Sequence, residues 1–291
     1  MIWLIGNKGM LGRDVQTALE RAGLEFRATD MDVDITDFHV VSDYVSDKDI
    51  SWIINCAAYT AVDRAEDEPD AASAINARGP GNLAGISADK GARLIHISTD
   101  YVYDGLKSGE YLEDDEAAPA GVYGMSKLEG EINIREAFEN FFIIRISWLF
   151  GTGGGNFVKT MLRLFNERDE VRVVNDQHGS PTYTRDLAEF IIHIIKNDSR
   201  EFGIYHYSNT GATTWYDFAC AIYDLAVSRE MVRGGLKIVP VSTDEYKTKA
   251  PRPANSVMSK DKARKTFGIE VRTWQDVLAD YLDELRHMGK E

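Results

Sequence analysis

The sequence predicts an α/β fold, a doubly wound parallel sheet followed by a smaller mixed α/β lobe. Three observations predict it. Apolar runs of strand length recur through the first half of the chain and alternate with segments of helical spacing, the pattern of parallel strands joined by crossovers. The first run leads directly into a glycine-rich turn, Gly6-Asn7-Lys8-Gly9-Met10-Leu11-Gly12, and then into a helix pattern. The small and polar residues that end the runs would share one edge of such a sheet, outside the strands' carboxyl ends, where ligands bind in this class of fold.

Met1 to Ile5 is an unbroken apolar strand, and the helix after the turn places Val15, Leu19 and Ala22 on one face, with Gly23 as its stop. Strand, glycine turn and helix make a Rossmann-type phosphate cradle: small residues let the backbone approach a pyrophosphate, and the helix N-terminus supplies amide N–H groups. The spacing is GxxGxxG, not the GxGxxG of the dehydrogenase fingerprint. Glu25 to Thr29 reads as the second strand, followed by Asp30, Asp32, Asp34 and Asp37. An acid here, about 20 residues past the glycines, suits an adenosine ribose. Turn and N-cap roles account for some of the four. Asp30 is the candidate for the ribose and favours NADH, whereas Lys8 and Arg13 could hold the extra phosphate of NADPH.

Ser51 to Cys56 is the third strand, and Ala57 and Ala58 at its end leave room for a ligand, or simply pack. A long helix pattern runs from about Pro69 to Lys90 and leads into a fourth strand, Leu94 to Ile97, which ends in Ser98, Thr99 and Asp100. After a loop rich in Gly, Asp and Glu, Tyr123 opens a segment with Leu128, Ile132, Ala137 and Phe138 at helical spacing. Tyr123 and Lys127, four apart, point the same way on that helix. An ammonium beside a phenol lowers its pKa and prepares a proton donor, and Thr99 at the mouth of the strand would be a second donor to a carbonyl oxygen under reduction. The alternative for the pair alone is a solvated helix face. Phe141 to Leu149 is the next strand, with Trp148 near its end.

The texture changes at Gly151-Thr-Gly-Gly-Gly155-Asn156, where a domain boundary is expected: residues 1–150 as the dinucleotide-binding domain, 151–291 as mainly a substrate-binding lobe, some segments of which return to the main sheet. The second half reads as helices at Phe157–Phe165, Arg185–Ile195, Trp215–Val227 and Thr273–Arg286. Strands are expected at Val171–Val174, Ile204–Tyr207 and near Ile238. Arg252, in the proline-stiffened loop Ala250-Pro-Arg-Pro-Ala-Asn-Ser256, is a candidate diphosphate clamp or a plain surface arginine. Tyr101 and Trp148 are candidates to stack on a sugar. The six histidines have no metal-ligand spacing, and His96 and His206 fall in strand patterns as core residues.

Composition bounds the partners. At 291 residues and 44% hydrophobic content the chain can bury a sizeable core, and its formal net charge of -14 argues against nucleic acid or an anionic membrane. Cys56 and Cys220 lie far apart in apolar stretches, which predicts buried free thiols and a reducing compartment. With no run of transmembrane length, and with residue 1 leading straight into a strand pattern, the expectation is a cytoplasmic chain without a signal peptide.

The glycine turn, the hydroxyl of Thr99 within STDYVYDG and the YxxxK pair resemble the extended short-chain dehydrogenases/reductases. The blocks NCAAYTAVDRAEDEP, HISTDYVYDG, VYGMSKLEGE, RISWLFG, GGNFVKTMLRL, VNDQHGSPTYTRDLA, TTW and RPANS narrow the resemblance to the dTDP-4-dehydrorhamnose reductase family, over nearly the whole chain. The resemblance implies reduction, by NADPH or NADH, of the 4-keto group of dTDP-4-dehydro-L-rhamnose. Tyr123 would then be the proton donor, Lys127 would lower its pKa and hold the nicotinamide ribose, and Thr99 would bond the ketone oxygen. Cofactor contacts are expected at Gly6, Gly9, Met10, Leu11, Gly12, Asp30, Asp34, Ile35, Cys56, Ala57, Ala58, Tyr59, Tyr123 and Lys127. Asp100, Tyr101 and Trp148 would line the sugar pocket, with Asn156 and Arg252 toward the nucleotide diphosphate. Some members of the family dimerise through a magnesium ion held by glutamates. Asp14 and Arg185 stand at positions matching two of these, and an arginine there would repel the ion, so a monomer or a metal-independent homodimer is expected. The rival readings are another nucleotide-sugar reductase or epimerase, and a non-catalytic dinucleotide-binding subunit like the relative that regulates methionine adenosyltransferase. The intact Thr99, Tyr123 and Lys127 argue against the second.

Overall fold

The computed structural model describes residues 1–288. In the first half, strands β1 (Ile2–Ile5), β2 (Phe26–Thr29), β3 (Trp52–Asn55), β4 (Arg93–Thr99) and β5 (Phe141–Ile146) alternate with helices α1 (Met10–Arg21), α2 (Phe38–Val45), α3 (Val62–Ala65), α4 (Pro69–Ser73), α5 (Gly79–Lys90) and α6 (Val122–Ala137). The second half adds β6 (Leu149–Phe150), α7 (Phe157–Glu167), β7 (Glu170–Val174), β8 (His178–Gly179), β9 (Thr182–Tyr183), α8 (Thr184–Lys196) and β10 (Gly203–Tyr207). It closes with β11 (Thr213–Thr214), α9 (Trp215–Ser228), β12 (Lys237–Val241), α10 (Asp261–Phe267) and α11 (Trp274–Met288).

The main sheet runs β10-β5-β4-β3-β1-β2, and every neighbouring pair is parallel. Parallel strands joined by crossover helices are buried on both faces, which is why IWLI of β1 and WIIN of β3 contain no exposed position. One face packs through Leu4, Ile54, Ile95 and Phe142 against Val15 and Leu19 of α1 and Leu187 and Ile191 of α8. The other packs through Trp3, Ile5, Ile53 and Leu94 against Val41, Leu83 and Ile134. A separate core of Phe150, Met161, Val171, Phe218, Ile222, Leu278 and Tyr281 joins α7, α9 and α11 with β7. Since β1 is flanked by β2 on one side and β3 on the other, the chain reverses direction across the sheet between β1 and β3. That reversal opens a crevice at their carboxyl ends.

Several expectations are corrected. The helical run from Pro69 to Lys90 is continuous but passes through a π turn at Ala74–Arg78. Pro80 has no N–H to return to the carbonyl of Asn76, so the regular ladder cannot close there. On α6 the expected apolar stripe is not the buried face: Ile132 is 40% exposed, while Gly124, Lys127, Gly130, Glu131 and Ile134 are buried. The helix lies too close to its neighbours for large side chains, since a Cβ on Gly130 would sit 2.1 Å from the Asn76 carbonyl oxygen. Glu131 is buried because it pairs with Arg145 of β5, Nη2 to Oε2 at 2.6 Å. The strand expected through Leu149 ends at Ile146, because Trp148 takes a left-handed φ of 46° and turns the chain into β6. Cys56 and Cys220 are free thiols, but both are partly exposed rather than buried. Helices α2 and α10 were not anticipated from the sequence.

Candidate active site

The glycine turn after β1 is shaped by close backbone approach. Gly6 has φ 78°, and a Cβ there would lie 2.7 Å from the Ala57 nitrogen; one on Gly12 would lie 2.0 Å from the Gly6 carbonyl oxygen. The turn and the end of β3 are thus pressed together at the crevice, as a pyrophosphate cradle requires. Beside it is a cavity of about 620 Å³ lined by Gly6, Lys8, Gly9, Asp30, Asp34, Ile35, Cys56, Ala57 and Ala58. Eight of these nine were expected at the cofactor, and Lys8 was the alternative phosphate holder. Of the remaining candidates, Met10, Leu11, Gly12 and Tyr59 are outside that lining. Tyr59 is tied elsewhere, its N–H donating to Asn76 Oδ1 and its hydroxyl to Glu68.

The carboxylates after β2 divide by role. Asp30 Oδ2 accepts from the Lys8 N–H at 3.0 Å, which ties the ribose candidate to the glycine turn. Asp34 accepts from the N–H and hydroxyl of Thr36, and Asp37 caps α2 by accepting from His39 and Val40 N–H. The residues present fit a dinucleotide: a Cβ-free cradle, a helix N-terminus and an acid at the end of the second strand.

The proposed reaction centre forms where β4 ends. Thr99 Oγ1 donates to Asp100 Oδ1 at 2.9 Å and accepts from the Tyr101 N–H at 3.2 Å, and it stands near enough to the Tyr123 phenol to pull that group's pKa down. Tyr123 arrives there because α6 starts hard against the turn after β4: a Cβ on Gly124 would sit 2.2 Å from the Tyr101 carbonyl oxygen. Glu66 Oε1 accepts from the Val122 N–H and fixes that helix end. The rings of Tyr101 and Tyr123 meet edge to face at 5.4 Å. Lys127, one turn further along, is buried and donates to the Ile97 carbonyl at 2.7 Å, with His96 Nε2 3.2 Å away.

Burial dominates the electrostatics. It pushes Tyr123 up to about 12, with the Thr99 hydrogen bond pulling it back and the Asp100 charge adding to the rise. It pushes Lys127 down to about 8, offset in part by Glu131 and Cys56. The Lys127 amine is turned toward Ile97 and His96, and burial is the largest cause of the phenol's shift. Asp100 is pushed up to about 6 by burial. Its Oδ2 has no hydrogen-bond partner of acceptable geometry, although the Ser256 hydroxyl is near enough to favour the charged form.

A second cavity, of about 360 Å³, lies between this centre and the second half of the chain and is lined by Tyr101, Asp63, Phe157, Trp215, Tyr246 and Arg252 among others. Arg252 Nη2 donates to Asp63 Oδ2 at 2.8 Å, and its guanidinium is 6.0 Å from the Tyr101 ring centre. Its Nη1 is buried without a partner. Trp148 is outside the lining but stacks on Trp215, ring centres 3.6 Å apart. Asn156 is not brought to this cavity: its Oδ1 accepts from the Lys159 N–H as the cap of α7, and its Nδ2 donates to the Gly151 carbonyl and the Tyr281 hydroxyl. Asp63, Trp215 and Tyr246 were missed in the sequence; Trp215 stands in an apolar helix pattern that reads as core. Away from both cavities, Arg185 pairs with Glu284 beside Asp14, whose carboxyl burial pushes up.

The family model described as RmlD substrate binding domain matches residues 1–287. A curated relative, the dTDP-4-dehydrorhamnose reductase of Aggregatibacter actinomycetemcomitans, is 41% identical over 281 residues, covering 94% of this chain and 96% of the relative. The solved dTDP-4-dehydrorhamnose reductase of Clostridium acetobutylicum is similar with a TM-score of 0.92 at 39% identity, covering 98% of this chain and 99% of that one. That of Bacillus anthracis, solved in complex with NADP, has a TM-score of 0.91 at 39% identity, covering 97% and 98%.

Proposed function

The chain belongs to the family described as RmlD substrate binding domain, that of the dTDP-4-dehydrorhamnose reductases, and from this membership we infer an NAD(P)H-dependent oxidoreductase that reduces the 4-keto group of dTDP-4-dehydro-L-rhamnose to give dTDP-L-rhamnose. What supports the assignment of residues is that Thr99 and Tyr123 stand together where β4 ends and α6 begins, with Lys127 one turn along that helix and bonded to the Ile97 carbonyl of β4, on the sheet whose carboxyl edge carries the crevice between β1 and β3. When bound, the nicotinamide supplies a hydride. Tyr123 Oη gives its proton to the oxygen that was the ketone, and the Thr99 hydroxyl stabilises the charge building there. Gly6, Gly9 and Ala57 line the cradle for the dinucleotide, with Asp30 and Lys8 at its far end. Tyr101 and Arg252, lining the second cavity with Trp215, hold the nucleotide sugar, the arginine facing its diphosphate. In this reading residues 1–150 serve the dinucleotide and 151–291 mainly the substrate.

The test is incubation with dTDP-4-dehydro-L-rhamnose and each nicotinamide in turn, following the loss of reduced-cofactor absorbance and identifying the sugar formed. Consumption of one reduced cofactor per dTDP-L-rhamnose is expected; no oxidation with either cofactor would refute the reading. The same proposal covers a cytoplasmic location and a monomer or metal-independent homodimer, supported by the guanidinium of Arg185 beside Asp14. Among the described residues no helix is long and apolar enough to cross a membrane. Light scattering should give one mass with and without a chelator, and a dimer that the chelator dissociates would contradict this.

A further inference from the structure

The short helix α3 and the turn after it carry three acids, Asp63, Glu66 and Asp67, that reach two separate parts of the proposed site. Glu66 Oε1 accepts at 2.9 Å from the N–H of Val122, the residue before Tyr123. Gly121, which caps α6, has no side chain to do this, so the acceptor for that helix end comes from 56 positions away. Asp63 grips the proline-stiffened loop at two points: Oδ1 accepts from the Ala250 N–H at 2.9 Å, and Oδ2 accepts from Arg252 Nη2 at 2.8 Å. Asp67 adds an ion pair with Lys249. The fork of Arg252 is thereby divided, with Nη2 engaged and Nη1 buried without a partner and left for another acceptor. The loop and α6 also meet: a Cβ on Gly121 would lie 2.9 Å from Glu66 Oε1 and 3.4 Å from Pro251 Cδ.

We propose that Glu66 and Asp63 are positioning residues, Glu66 for Tyr123 and Asp63 for Arg252, so that one short element sets the spacing between phenol and guanidinium. The proposal rests on the reductase reading for what those two side chains do, and adds what holds them in a common frame. A nucleotide sugar gripped at its diphosphate presents its ketone to the phenol only if that spacing is kept. Glu66 acts on Tyr123 through the Val122 backbone, and Asp63 acts on the diphosphate through Arg252. Asp63 also lines the second cavity, where its charge by itself would repel a diphosphate. Its grip on the arginine accounts for a carboxylate in that place.

The experiment measures steady-state reduction of dTDP-4-dehydro-L-rhamnose, calorimetric binding of dTDP and amide hydrogen exchange on the full chain. Glu66→Ala is expected to lower kcat by about 10-fold, to leave KM and dTDP affinity within about twofold, and to speed exchange at the start of α6. Glu66→Gln, which keeps an acceptor for the Val122 N–H, should restore kcat to within about threefold of wild type. Asp63→Ala is expected to weaken dTDP binding and raise KM by about 10-fold, with a much smaller change in kcat. A folded Glu66→Ala with wild-type kcat overturns the proposal, as does a Gln variant no better than the Ala one. An Asp63→Ala variant that binds dTDP as tightly as wild type, or more tightly, also overturns it, because that is the result of removing a charge that only repels. A wild type that fails to reduce the sugar would instead refute the reductase reading, and dTDP binding and hydrogen exchange would still decide whether the two acids hold Arg252 and the start of α6.

Discussion

Asp100 shows how the centre trades stability for chemistry at the scale of one residue. Only 2% of it is exposed, and burial carries its carboxyl from an ordinary value of 3.8 to about 6. A raised carboxyl pKa means that the folded state binds a proton the unfolded state has released. Its contribution is therefore fully present below the unfolded value and lost as pH rises from 3.8 to 6. The loss amounts to about 3 kcal/mol by linkage. Asp100→Asn keeps an acceptor for Thr99 and removes the buried charge. Chemical denaturation should find the variant more stable than wild type at pH 7, by up to about 3 kcal/mol, and indistinguishable at pH 4; equal stability at pH 7 would contradict the account. Thr99, Tyr123 and Lys127 were legible in the sequence as candidates because each obeys a local rule, a hydroxyl at a strand's end and a pair one helical turn apart. The bond from Asn55 to His96 was not, since it spans 41 positions and depends on strand register. For Asn156 the signal was present, an asparagine just before the helical run FVKTMLRLF, and it reads as a cap rather than a ligand group.

At the scale of elements, α6 is placed by what it lacks. Its buried face is built on Gly124 and Gly130, which let the helix axis approach the turn after β4 and the π turn at Ala74–Arg78. Periodicity could not reveal this, because apolar spacing marks a face that packs through side chains, and this one packs through backbone. Gly124→Ala must push the start of α6 away from the Tyr101 carbonyl and take Tyr123 with it. A loss of about 1–3 kcal/mol of stability is expected from overpacking, together with a fall in kcat of about 10- to 100-fold in the reductase assay. A folded variant with wild-type kcat would show that the close approach does not set the phenol's position. The break of β5 at Trp148 has a similar origin: its indole is packed against Gly179 and Trp215, and the backbone adopts a left-handed φ to put it there. Nothing in the apolar run FFIIRISWL announces that bend.

At the scale of the whole molecule, the sheet order brings together groups that are distant along the chain. The alternation of strands and helices disclosed a parallel sheet, and the glycine turn pointed to the edge proposed to carry the ligand. Which second-half segments complete the sheet required the fold itself: β10 pairs with β5 and α8 covers the same face as α1. In this arrangement the proposed dinucleotide cradle belongs to β1 and β3, and the proposed proton source, Tyr123, belongs to α6. Binding and proton transfer are therefore carried by separable parts. The most direct test is to measure, for wild type and Tyr123→Phe side by side, the dissociation constant of the cofactor and the turnover of dTDP-4-dehydro-L-rhamnose. The account predicts an unchanged dissociation constant and a turnover reduced by about 10²- to 10⁴-fold. Wild-type turnover in the variant would contradict it.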